Sequence, residues 1–217
     1  RRAIVAALVV LYAVPPVVRL AKFAPPTNGF QKEVIGLAAR ITDPGTPVFD
    51  GVGALVQRPD AYGFHWILWA DELRRYAQGD LPPLVATLRA GGARLVLQTY
   101  RIERLPKSDL AALFHQFPRL WGPLRVAGYD SGDARVGPEA HSFELWYDGM
   151  YDVVPEGTEI DGAPAVGPVR LRAGRHEARL PGSPARVILR DAAWRERATL
   201  PPPPRDRRFF GPYGYAF

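Results

Sequence analysis

The pattern of apolar residues changes character between Gly128 and Pro138, and that change limits what this chain can fold into. Before it, short apolar runs alternate with segments of helical periodicity; after it come short runs separated by turn dipeptides. Pro47 to Asp50, Arg94 to Thr99 and Leu124 to Gly128 read as strands. Gln31 to Ile41, His65 to Gln78, Leu81 to Leu88 and Asp109 to Phe117 read as helices. The first of these sets Val34, Ile35, Leu37, Ala38 and Ile41 on one face, and Ser108 is placed to cap the last. Strands joined by connections long enough for helical crossovers predict an α/β domain over 24–130, a small parallel sheet with flanking helices.

Past the change, Phe143 to Tyr147, Thr158 to Ile160, Val169 to Arg172 and Arg186 to Leu189 alternate apolar and polar residues. Asp148-Gly149, Asp161-Gly162 and Ala173-Gly174 separate them. Asp-Gly between strand-like runs signals a hairpin, because a type I′ turn takes positive φ at both central residues. Val169 and Leu171 alternate with Arg170 and Arg172, which gives one buried and one solvated face. The expectation is a small antiparallel β module, hairpin or sandwich, over 138–195.

The two ends differ from this body. Ala3 to Val18 is an apolar run flanked by Arg1-Arg2, Arg19 and Lys22. A helix of roughly 20 residues crosses a hydrocarbon core about 30 Å thick, and Ala3 to Leu20 nearly reaches that length if Arg19 snorkels. Pro15-Pro16, Arg19 and Lys22 stand where a secretory signal would have its small-residue cleavage site. One N-terminal transmembrane helix within 1–23 is therefore expected, with Arg1-Arg2 on the cytoplasmic side. A core helix of a soluble protein is the alternative at this length. At the other end, 196–217 is a proline-rich and aromatic tail in which Pro201 to Pro204 form an extended segment. Arg207, Arg208, Phe209, Phe210, Tyr213, Tyr215 and Phe217 either pack back on the domain or dock on a partner, and they are the nominated partner-binding residues.

Composition removes several function classes. The chain has no cysteine, so it has no disulfide framework, thiolate metal site or cysteine nucleophile. Its net charge is +6, but the basic residues are scattered among Asp and Glu with no basic stripe interleaved with aromatics. That distribution argues against nucleic acid and for mild attraction to anionic lipid or an acidic partner.

The chemical candidates are thin. His65, His115, His141 and His176 show no metal-ligand spacing. His115 reads as a solvated or capping residue, and His176 as a surface residue at a hairpin turn. Ser131 lacks the preceding glycine of a nucleophile elbow. Gly51-Val52-Gly53 after a strand suggests a phosphate-binding turn but lacks the third glycine and the lysine. Asp71-Glu72 and Asp148/Asp152 are the nearest carboxylate pairs, of a kind more often found on solvated faces. No catalytic, cofactor or metal residue is assigned.

The order of elements carries a resemblance. An apolar helix, then Asn28-Gly29-Phe30-Gln31 opening a second one, then Thr46 to Asp50 and Leu95 to Tyr100, resembles the C-terminal soluble region of bacterial GT-C glycosyltransferases. These are multi-spanning enzymes that use lipid-linked sugars, similar to the dolichyl-phosphate-mannose mannosyltransferase type. The resemblance covers a little over half the chain. It implies a domain outside the cytoplasmic membrane and no catalytic residue here, because the family's catalytic acid lies in an early loop that this chain lacks. Glu159 to Gly162 followed by Leu171 to His176 also resembles small β modules appended to bacterial surface proteins.

The functional expectation is a non-catalytic, single-span accessory subunit of the bacterial inner membrane, with its domain on the periplasmic side. Its partners would be a larger membrane protein complex, an energy-transducing one among the candidates, and the lipid bilayer. The alternative is the acceptor-recognition region of a lipid-linked-sugar glycosyltransferase. A third reading is a free-standing carbohydrate-binding protein built on the β module.

Overall fold

Phe30, Val34, Leu37, Ala38 and Ile41 are all buried, and their spacing winds Gly29–Ile41 into a helix, α1. The structure is a computed structural model that describes residues 29–63, 70–132, 140–179 and 185–189, with Tyr12 and Val14 besides. The last carbonyls of α1 are closed from outside the helix. Arg58 donates to the Ala39 and Thr42 carbonyls, each at 2.8 Å, and to Thr42 Oγ1 at 2.9 Å. A cation at a helix C-terminus satisfies orphan acceptors and complements the dipole together.

Strand β1, Val48–Phe49, pairs in parallel with β2, Leu95–Leu97. Helices α2, Ala70–Gln78, and α3, Leu84–Ala90, lie along the connection between them. A 3-10 turn, Ile102–Arg104, then leads to α4, Lys107–Gln116, followed by β3, Arg119–Trp121, and β4, Leu124–Val126. Helix α4 begins directly after Pro106, so Ser108 sits inside its first turn and makes no cap.

The sheet order is β1-β2-β4-β3, with β4 antiparallel to both neighbours. The expectation of a parallel sheet is therefore corrected to a mixed one. The α4 crossover does deliver a strand running parallel to β2, namely β3. The tight Gly122-Pro123 connection then permits only an antiparallel return, and that returning strand inserts between them. Side chains alternate across this sheet as strand geometry requires. Leu95, Leu97, Leu124 and Val126 pack with α1, while Val96 packs with Leu84 and Leu88 of α3, Leu113 of α4 and Phe117 just after it.

Eight further strands build two antiparallel sheets: β5, Gly128–Asp130; β6, His141–Leu145; β7, Gly149–Val154; β8, Glu159–Ile160; β9, Ala163–Pro164; β10, Val169–Leu171; β11, Gly174–Arg179; and β12, Arg186–Leu189. Their orders are β10-β7-β12-β5 and β6-β11-β8-β9. Leu145 is in register with Gly174 in one sheet, and Gly149 with Leu171 in the other. Segments β6–β7 and β10–β11 are thus paired lines that turn a corner together and pass from sheet to sheet. Asp148 staples that corner, its Oδ1 accepting the Ala173 N–H at 2.6 Å. Asp148-Gly149 is consequently a corner, whereas Asp161-Gly162 is the hairpin turn the dipeptide predicts, with φ of 53° and 79°.

One hydrophobic cluster joins Phe49, Leu88, Leu113 and Phe117 to Phe143, Leu145, Tyr151 and Val187. The Tyr129 and Phe143 rings stack at 4.6 Å, and Trp146 meets Phe117 edge-on at 5.5 Å.

Among the described residues, no helix is long and apolar enough to cross a membrane. The longest helix among the described residues, α1, has 13 residues and carries Lys32, Glu33 and Arg40. At 1.5 Å per residue it spans about 20 Å, short of a bilayer core. The expected fold class, with its transmembrane helix, is therefore corrected to a mixed α/β fold with several antiparallel sheets. The 3–20 run itself lies outside the described residues, apart from the exposed Tyr12 and Val14.

Candidate functional site

The loop after β1 is organised by one carboxylate. Asp50 is buried, and it accepts the backbone N–H groups of Val52, Gly53 and Leu55 at 2.8, 2.6 and 2.7 Å. Thr99, just past β2, donates its hydroxyl to the Asp50 carbonyl at 2.8 Å. The amides of Val52 and Gly53 that could cradle a phosphate therefore already hold an anion from within the chain. This loop is a self-filled anion nest, which accounts for the glycine spacing without a ligand.

Turned outward, the same loop forms one wall of a groove against α1. Ile35 and Ala39 line it from the helix, and Ala54, Leu55 and Val56 from the loop, with Gln57 and Arg58 at its polar end. Its volume is about 110 Å³. Val56 is 78% exposed, a β-branched apolar side chain standing in solvent beside an apolar recess.

Past β2, the guanidinium groups of Arg101 and Arg104 lie 4.9 and 5.9 Å from the ring centroid of the partly exposed Tyr100. Arg101 Nε is buried and has no hydrogen-bond partner among the described residues. Tyr100 follows the carboxyl end of β2, beside the carboxyl end of β1, where α/β sheets commonly place ligands. A charge also runs inward from here. Glu103 accepts from Gln98 Nε2 at 3.2 Å, and Gln98 Oε1 accepts from Arg125 Nε at 2.9 Å. Arg125 is only 6% exposed; it donates to the Phe117 carbonyl at 3.0 Å and lies 3.6 Å over the Phe114 ring. Burial, with Arg119 beside it, pushes its pKa down to about 10.

The residues nominated for chemistry are engaged with the backbone or kept apart. Ser131 is buried, and its Oγ accepts the Ala185 N–H at 2.9 Å. His115 Nδ1 lies 2.6 Å from the Asp130 carbonyl and serves as its donor, which ties α4 to β5. Asp71 pairs with Arg74 on an exposed helix face. Asp148 holds the corner, while Asp152 is buried within β7 opposite Ile188. Asp148 lies at the corner and Asp152 four positions further along the chain, within β7. His176, expected at the surface, has a side chain only 11% exposed and bonds through both ring nitrogens. Among the described residues, no group of His, Asp and Glu is placed to hold a metal ion.

His65 lies outside the described residues, as does the whole nominated tail: Arg207, Arg208, Phe209, Phe210, Tyr213, Tyr215 and Phe217. The groove and the Tyr100 platform carry weaker sequence signals than that tail. Val56 reads as one more apolar residue after Gly53-Ala54-Leu55, and the Tyr-Arg-x-x-Arg spacing has meaning only once the chain turns at Ile102. No protein-family model, curated protein or solved structure matches this chain.

Proposed function

We propose that the chain is a non-catalytic accessory unit that binds and stabilises a larger protein complex, and that the groove between α1 and the 54–58 loop receives an aliphatic or aromatic side chain of that partner. The observation that carries this is the groove's size together with the exposed Val56 on its rim. Pockets for cofactor-sized molecules run to about 300–1,000 Å³. A recess of about 110 Å³ is too small for those and suits a single anchoring side chain of a protein interface. Gln57 and Arg58 supply the polar rim that such interfaces carry. A membrane protein complex, met on the periplasmic side of a bacterial inner membrane, is the partner and setting of this proposal.

A photo-crosslinking residue at the exposed Gln57, introduced in native cells, tests it. The expected result is one discrete adduct that is lost on Val56→Asp, while the thermal midpoint of the purified chain stays unchanged. A second probe at Val166, 85% exposed on another loop, gives the control. The same adduct from both positions, or one indifferent to Val56→Asp, overturns the reading.

A second reading, acceptor recognition for a lipid-linked-sugar glycosyltransferase, is favoured by the Tyr100 platform. An aromatic ring flanked by two guanidinium groups suits stacking on a sugar and pairing with its phosphate. Saturation-transfer NMR with a hexose 1-phosphate should then show contacts that vanish in Tyr100→Ala. Equal signals from both proteins would remove this reading.

A further inference from the structure

A single imidazole joins the β8–β9 turn to the corner between β10 and β11. His176 sits on β11 opposite Phe143 of β6, with the two rings 5.7 Å apart. Its Nδ1 lies 2.7 Å from Asp161 Oδ2 in the β8–β9 turn, and its Nε2 lies 2.8 Å from the Arg172 carbonyl at the corner. The other oxygen of Asp161 accepts the Glu177 N–H at 2.9 Å. A carbonyl and a carboxylate both accept only, so the ring must donate through both nitrogens to satisfy them, and an imidazole carries two N–H groups only when protonated. The neutral ring serves one acceptor and turns a lone pair toward the other.

We propose that His176 is a proton-operated latch: doubly protonated, it ties the β8–β9 turn to the β10–β11 corner, and loss of one proton releases one of the two attachments. Besides this imidazole, β8 pairs with β11 through Ile160 and Glu159, the Asp161 N–H donates to the Glu177 carbonyl at 2.8 Å, and Ile160 is buried in the core, so the latch acts on the turn rather than on the whole hairpin. Among the described residues, few charges surround the ring. From the hairpin it meets Asp161; from β6 it meets Phe143, with His141 two positions along the strand; from the corner it meets a carbonyl, with Asp148 bonded one residue further on. On β11 itself, Arg175 is bonded to Ser142 and Glu177 is exposed, both on the strand's other face. Burial works against the Asp161 carboxylate, but the His176 and Glu177 hydrogen bonds outweigh it and hold its pKa below the usual carboxylate range. The doubly protonated ring satisfies both acceptors, and a ring with one proton leaves one of them facing a lone pair. The depressed Asp161 carboxylate contributes stability above the unfolded value of about 3.9, and that contribution is lost as pH falls through its folded value.

Long-range ¹H–¹⁵N NMR of the full chain reads the ring directly, and amide exchange at Asp161 and Glu177 reads the attachment. The expected result is two protonated ring nitrogens at the acid end. As His176 titrates, exchange corrected for its intrinsic pH dependence should accelerate about tenfold. In His176→Gln the exchange should be fast throughout, with no step. Asp161→Asn keeps a residue that tolerates the left-handed turn, and it should lower the midpoint of the His176 titration by one pH unit or more. A single neutral tautomer at all pH values, a step that persists in His176→Gln, or an unmoved midpoint in Asp161→Asn overturns the latch.

Discussion

Arg125 reaches the α4-covered face of the mixed sheet, and among the described residues its hydrogen-bond acceptors are the Gln98 amide and the Phe117 carbonyl rather than a carboxylate. Its stabilisation is passed along Gln98 to Glu103 and shared with the Phe117 carbonyl and the Phe114 ring. Gln98 is thus the residue on which a buried charge depends. Replacing it with Leu leaves Arg125 Nε without its acceptor, at a cost of about 1–3 kcal/mol. Urea denaturation should show that loss; a difference near zero would mean that water or the ring suffices. Burial acts on the tyrosines in the opposite sense. Tyr62, Tyr129 and Tyr147 are each pushed up to about 12, first by desolvation, with Tyr76 adding to it for Tyr62 and Asp130 for Tyr129. A phenol whose folded pKa lies above its unfolded value of about 10 stabilises the fold below that value and loses the contribution as pH rises through 12. Arg125 opposes this, because a depressed cation gains stability over the same range. Three phenols outweigh one guanidinium, so stability should fall between pH 10 and 12. Equilibrium urea curves taken through that window, with phenolate absorbance followed in parallel, check the sign.

At the level of elements, one tight constraint is where β5 meets β12. A Cβ on Gly128 would stand 2.1 Å from the Val187 carbonyl oxygen, inside the ladder that pairs the two strands. Gly128→Ala must push that ladder apart, and overpacking of this kind costs about 1–3 kcal/mol. A lower urea midpoint with an unchanged slope is expected, and a wild-type midpoint would show that β5 shifts freely. The same strand marks the limit of what the sequence made legible. Helix α1 was readable because its apolar face repeats at helical spacing, as were β1, β2, β4 and the Asp161-Gly162 turn, each through a local signal. Strand β3 was not, since three residues between Pro118 and Gly122 offer no period to count. Strand β5 falls where the pattern changes and carries no local signal of its own, because its pairing with β12 is a contact nearly sixty residues away. The corner at Asp148-Gly149 carries the local chemistry of a hairpin, and only the register of β6 with β11 reveals that its two strands belong to different sheets. For the candidate site, the glycines after β1 were visible, but what filled their amides was Asp50 rather than a ligand.

For the whole molecule, the change of pattern near Gly128 separates two styles of secondary structure but does not separate two cores. Phe143, Trp146, Tyr151 and Val187 from the later strands pack in one cluster with Leu88, Leu113 and Phe117, and Ile188 joins the cluster beneath α1. Polar contacts follow the same route. Tyr147 donates its hydroxyl to the Ala93 carbonyl at 2.8 Å, and Arg89 pairs with Glu144 at 2.6 Å. Among the described residues, β12 is the one strand that pairs with β5. A chain ended after Gly132 would expose the rings of Phe117 and Tyr129 and leave β5 unpaired. Burial of one large apolar side chain is worth about 1.5–3 kcal/mol. Uncovering several such contacts therefore removes an amount comparable with the roughly 5–15 kcal/mol that holds a whole domain together. The 1–132 fragment should keep much of its far-ultraviolet circular dichroism, lose its near-ultraviolet signal and bind a hydrophobic dye, as a compact state without fixed packing does. The full chain should unfold in one transition, with amides of β2 and β7 exchanging at the same limiting free energy. A fragment that unfolds cooperatively, or a β7 that opens well before β2, would instead make the two halves independent units that merely touch.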